Sequence, residues 1–140
     1  MDLPEVRRRV RAAIERARRE GVARRERVDT AARAYDELLS ARAVPLFHQI
    51  ASALAAEGHR YKVFTPGGSV RLSSERSAED FVELTLDSEA DPPVVLGRTS
   101  RGRGRRAMTH ERPIRDGAAV ADLTDEDIVD FVATFIGDSL

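Results

Sequence analysis

Residues 4–57 read PEVRRRVRAAIERARREGVARRERVDTAARAYDELLSARAVPLFHQIASALAAE, and almost no turn chemistry interrupts them. From Val10, small or apolar side chains return every three or four residues: Ile14, Ala17, Gly21, Val28, Ala31, Tyr35 and Leu38, with Arg24 the polar exception. That spacing is a helical seam. Asp2 and Glu5 stand where a capping box would place them, and Pro4 falls in the first turn, where its missing N–H costs nothing.

Gly21 allows two readings, a continuous helix to about Ser40 or a helical hairpin. A glycine in a helix interior costs only about 1 kcal/mol, and no Pro, Asn or Asp helps this one turn, so the continuous helix is preferred. Such a helix is about 55 Å long, against a radius of gyration of about 14 Å for a compact chain of this size. It overhangs its own body. The expected remedy is a homodimer in which Val10, Ile14, Ala17, Val28, Tyr35 and Leu38 form a coiled-coil seam with a second copy. Residues 1–43 are accordingly read as a dimerisation segment and 44–140 as an α+β core, within one domain. In that core, Val44–Glu57 carries a dense apolar face of Leu46, Phe47, Ile50, Leu54 and Ala55. Pro45 marks either a new helix or a sharp kink.

After Gly58 the period changes from 3.6 to 2. Tyr61–Thr65 and Ser69–Ser73 flank Pro66-Gly67-Gly68, a hairpin pattern in which glycine supplies positive φ. Phe81–Asp87 alternates clearly, with Val82, Leu84 and Leu86 on the core face and Phe81, Glu83, Thr85 and Asp87 on a wet one. Pro93–Ser100 is the next strand. Gly102-Arg103-Gly104 reads as a hairpin tip, and Arg105–Arg112 as a weak, polar edge strand. A last helix begins at Thr124, an N-cap partnered by Asp127, with Leu123 and Ile128 spaced as a hydrophobic staple and Gly137 as its terminator. The expected fold is α+β: a long and a short helix, a four- to five-stranded antiparallel sheet, then a C-terminal helix.

The chain has 140 residues, a net charge of −1 and no cysteine, so disulfides, thiol nucleophiles and zinc–thiolate sites are excluded. Residues 1–60 carry 13 basic and 9 acidic groups, and residues 61–140 carry 10 and 15. No apolar run is long enough for a signal core or a membrane span, so a cytoplasmic protein is expected. Arginine outnumbers lysine 22 to 1, a bias that fits a GC-rich bacterial coding genome and argues against reading every arginine as functional.

The sharpest local feature is Arg98-Thr99-Ser100-Arg101-Gly102-Arg103-Gly104-Arg105-Arg106. Guanidinium forks bind phosphate or carboxylate in pairs, and glycine lets backbone N–H groups approach an anion. Arg98, Ser100, Arg101, Arg103, Arg105 and Arg106 are therefore candidates for contact with an acidic protein or nucleic acid; a solvated hairpin tip is the plainer account. The arginines of residues 7–27 are interspersed with Glu5, Glu15, Glu20 and Glu26, as on an ion-paired helix face. His48, His59 and His110 lack metal-ligand spacing. Asp122, Asp125, Asp127 and Asp130 fit helix capping better than a calcium loop, and could face the arginine hairpin. No P-loop, dinucleotide fingerprint or nucleophile elbow occurs. No cofactor is expected. The expected function is a non-enzymatic, self-associating interaction module offering the arginine hairpin to an anionic partner, with nucleic-acid binding as the alternative.

Overall fold

The computed structural model describes residues 1–139. Helix α1 spans Leu3–Leu38, 36 residues without a break, so Gly21 does not turn the chain. Only Arg25 Nη1 would touch a Cβ at Gly21, at 3.7 Å. Asp2 caps the start, accepting from the Glu5 N–H at 2.9 Å. Glu5 does not complete the expected box; its carboxylate takes Arg9 at 3.1 Å instead.

Pro45 lies in the first turn of a second helical segment, and the chain stays helical through the junction. A π-helical turn, Leu39–Ala43, joins α1 to α2, Val44–Ala56. The Val44 N–H reaches back five residues to Leu39 O. Proline lacks the N–H that would bond the fourth carbonyl behind it, and its ring crowds that carbonyl. One wide turn shifts the ladder and absorbs both effects.

Five antiparallel strands follow as a simple meander: β1 Tyr61–Phe64, β2 Val70–Ser74, β3 Phe81–Asp87, β4 Val94–Arg103 and β5 Arg106–Pro113. The class is α+β, as the periodicity change predicts. The β4–β5 tip lies later than expected, because Arg103 pairs with Arg106 and only Gly104 and Arg105 turn. Gly104 has φ +63° and Arg105 does not have positive φ, the pattern of a two-residue type II′ turn. A 3₁₀ turn, Val120–Asp122, precedes α3, Asp125–Ser139. Thr124 and Asp127 cap α3 reciprocally, at 2.9 and 3.1 Å. Gly137 does not terminate α3; it lies inside it.

The helices pack on one face of the sheet. Val70, Leu72, Val82, Leu84 and Val95 meet Phe47, Ile128, Phe131, Val132 and Phe135 in a continuous core. Tyr35 and Leu38 belong to that core, each 4% exposed. Both were expected on the seam with a second copy; the chain's own sheet and helices cover them instead. With Ala43 also buried, the segment 1–43 is not separate from the core. The change from bare to packed helix falls near Gly21–Arg24. There Arg24 and Arg27 reach Asp91 in the β3–β4 turn, at 3.2 and 3.1 Å. The Arg27 hydrogen bond, then the charges of both guanidiniums, hold the Asp91 carboxyl below its usual range.

The opposite face of the sheet has no helix on it, yet it is not simply wet. The register runs Phe64–Arg71–Glu83–Arg98–Glu111 across all five strands. Arg71 binds Glu83 at 2.8 Å and lies 3.9 Å over the Phe81 ring, and Arg98 lies 5.9 Å from the same ring. Phe81 and Glu83, expected on the solvated side, are both buried under these arginine stems.

Candidate functional surfaces

Strand alternation divides the arginine run. Odd residues of β4 face α3 and even residues face away, since successive side chains of a strand point to opposite sides. Arg98 and Ser100 are therefore on the helix-free face. Ser100 is 2% exposed and is withdrawn from any partner surface. Arg98 is half-buried in the charge row, and its Nε is buried without a hydrogen-bond partner. Arg105 sits in the turn. Arg101 and Arg103 remain on the α3 side, and Arg106 pairs opposite Arg103.

On that side the β4–β5 hairpin and α3 enclose an open cleft of about 530 Å³. Thr99, Arg101, Arg103, Met108, His110, Glu111 and Arg112 line the sheet wall; Phe131, Thr134, Phe135 and Asp138 line the helix wall. The antiparallel register builds this wall, setting Arg101 against Met108, Thr99 against His110 and Gly97 against Arg112. Arg112 stacks on Phe131 at 4.7 Å and Arg101 on Phe135 at 5.4 Å. Arg101 also meets the exposed Asp138 at 3.7 Å. Arg103 and Arg112 have no carboxylate partner among the described residues. The cleft thus joins an aromatic floor to cationic walls, a chemistry suited to an anionic group on an apolar body. Linear reading missed Arg112, His110, Phe131 and Phe135 as neighbours of the arginine run. The signal that joins His110 and Arg112 to the run is the II′ turn at Gly104, which fixes the register; Phe131 and Phe135 arrive on α3 through the packing of the core.

The loop before β3 braces the hairpin from the other side. The Gly102 N–H donates to Asp80 Oδ1 at 2.7 Å, and a Cβ at Gly102 would meet Glu79 Oε2 at 2.7 Å. The acidic cluster expected to face the arginine hairpin, Asp122, Asp125, Asp127 and Asp130, forms no ion pair with it among the described residues. Asp138 of α3 reaches Arg101, whereas Asp125 takes Arg42 at 2.7 Å and Asp127 takes Arg115 at 3.0 Å.

The second surface is the first half of α1. Leu3, Val6, Val10 and Ile14 are 62%, 40%, 51% and 46% exposed. At 3.6 residues per turn they share the side of the helix that carries Val28, Ala31 and Tyr35 further on. One stripe is therefore packed in its second half and bare in its first. Val28 is half-buried and Ala17 exposed. Of the expected seam residues, Val10, Ile14 and Ala17 stay available. Around them the glutamates pair with Arg9 and Arg18, at 3.1 and 3.2 Å. Glu15 takes Arg18 and Arg24 is drawn to Asp91, so neither a Glu15–Arg19 nor a Glu20–Arg24 pair forms.

No helix among the described residues is long and apolar enough to cross a membrane, and no cluster of His, Cys, Asp or Glu has the geometry of a metal site. Compared with protein-family models, curated proteins and solved structures, the chain matches none.

Proposed function

We propose that this protein is a non-enzymatic interaction module that self-associates through the first half of α1 and offers the cleft beneath its arginine hairpin to an anionic partner. The observation that carries the reading is the exposure of Val10 and Ile14 on the stripe whose later members, Tyr35 and Leu38, are buried. An apolar row of this length in water is a binding surface without its occupant. A second copy supplies an identical row and closes the assembly. The cleft supports the second half of the proposal, because Arg103 and Arg112 are cations without a carboxylate partner among the described residues, in a cleft that holds two phenylalanine rings.

Molecular mass by light scattering at micromolar concentration tests self-association. The intact chain is expected to have twice its own mass, and Val10→Glu with Ile14→Glu to halve it while the core still unfolds cooperatively. A monomeric intact chain removes the proposal. Arg101→Ala, Arg103→Ala and Arg112→Ala together are expected to abolish retention of an acidic peptide; unchanged retention removes the cleft.

Nucleic-acid binding keeps the support of one observation. Arg7, Arg8, Arg11, Arg16 and Arg19 surround the bare half of α1 without carboxylate partners among the described residues. Binding through them would weaken steeply with salt. A salt-independent elution from a DNA column would exclude it.

A further inference from the structure

We infer that the two α1 helices of the dimer run antiparallel, overlapping over residues 3–21 about a two-fold axis near residue 12. This rests on the self-association proposed above and says what form it takes. The decisive geometry is that one side of α1 serves two purposes. Up to Gly21 it is bare; from Arg24 onward it faces the chain's own body, which begins at Asp91 of the β3–β4 turn. A parallel partner helix laid along the bare half would continue straight into that body. Residues 3–38 are helical without a break, so nothing bends the partner away in time. An antiparallel partner presents its own residues 21 to 3 along the stripe, and its Leu3 end arrives where the body starts.

The row is self-complementary in this sense alone. With the axis near residue 12, Val10 faces the second copy's Ile14, Val6 its Ala17, and Leu3 its Gly21. Toward both ends bulky side chains meet small ones, and Val10 and Ile14 fill the middle on both sides of the axis, so neither end of the overlap is forced apart. In parallel register the same row sets Leu3, Val6 and Ile14 on their own copies at one end and Ala17 and Gly21 at the other, which splays the pair. Parallel pairing also brings Arg7, Arg9 and Arg11 of one helix beside those of the other. The antiparallel arrangement carries the positive end of the helix and these arginines toward the acidic β3–β4 turn. Asp91 of that turn is already held by Arg24 and Arg27, but Asp87 and Glu89 have no ion-pair partner among the described residues of their own chain.

The absence of cysteine permits a direct test on the full chain. Val6→Cys and Ala17→Cys are made separately, then each protein alone and an equal mixture are refolded from urea and oxidised. A disulfide is expected in the mixture and in neither protein alone. In the antiparallel pair the two copies of position 6 stand about 18 Å apart along the axis, beyond the reach of a disulfide. Cross-linking of each variant with itself means parallel helices and overturns the inference, while self-association stands. A dimeric mass with no cross-link in any sample also overturns it. A monomeric mass removes both this geometry and the self-association on which it rests.

Discussion

Gly97 on β4 lies directly against the ring of Phe131 on α3: a Cβ at position 97 would sit 2.2 Å from the ring's Cζ. The contact sets how closely α3 lies on the sheet, and so fixes the inner wall of the cleft. Gly97→Ala forces a buried aromatic ring or a strand to move. It is expected to cost about 1–3 kcal/mol, the usual range for overpacking. Denaturant unfolding measures the loss, and Phe131→Leu in the same chain should recover part of it. Equal stability of Gly97→Ala and the parent would mean that α3 does not bear on β4 as described.

The Tyr35 hydroxyl donates to Gly68 O at 2.6 Å, and Leu84 O lies 3.3 Å away. This contact ties α1 to the β1–β2 turn. Burial first, then the charges of Glu83 and Asp36, push the phenol's pKa up to about 12. The folded state therefore favours the neutral phenol. Its contribution is complete below the ordinary tyrosine value of about 10 and is lost as pH rises through about 12. Absorbance titration should show a late-ionising tyrosine that Tyr35→Phe removes. The same substitution is expected to destabilise by about 1 kcal/mol at neutral pH.

Asp91 supplies the opposite sign. The hydrogen bond from Arg27 lowers its pKa, so the tether between α1 and the β3–β4 turn is complete above the unfolded value of about 4 and fades as pH falls through the folded one. Asp91→Asn should lower the urea midpoint at neutral pH and leave it unchanged in acid. Asp127, held low first by the Thr124 backbone N–H, titrates in the same direction. Comparing parent and variant at each pH cancels its part. A gap between them that survives in acid would show that the tether does not depend on the charge of Asp91.

How much of this was readable from residues alone depends on range. The long first helix, the Phe81–Asp87 strand and the Thr124–Asp127 cap are local patterns, and each is found in place. Four readings failed where the local pattern did not decide. Tyr35 and Leu38 follow the same period as Val10 and Ile14, and only the folded sheet tells them apart. Ser100 shares a run with Arg101, but a strand sends neighbours to opposite faces. Glu83 alternates like a solvated residue and is buried because arginines from β2 and β4 converge over it. Gly137 is a helix terminator by composition, yet α3 continues through it to Ser139.

The Arg71–Glu83 pair permits the last test. Glu83 is nearly enclosed, with 8% of its side chain exposed, while Arg71 keeps 31%. Removing the carboxylate alone leaves Arg71 and Arg98 as neighbouring cations over Phe81, with Glu111 the only acid left in their row. Breaking an enclosed pair typically costs 3–5 kcal/mol; the exposure of Arg71 lets water screen part of that, so about 2–3 kcal/mol is expected for Glu83→Leu. Replacing both partners removes the stranded charge. Arg71→Met with Glu83→Leu should therefore be more stable than Glu83→Leu alone, and a double-mutant cycle reads the difference as coupling. If the two single substitutions add without coupling, the row of alternating charges does not hold the helix-free face together, and the stacking of Arg71 on Phe81 must do so by itself.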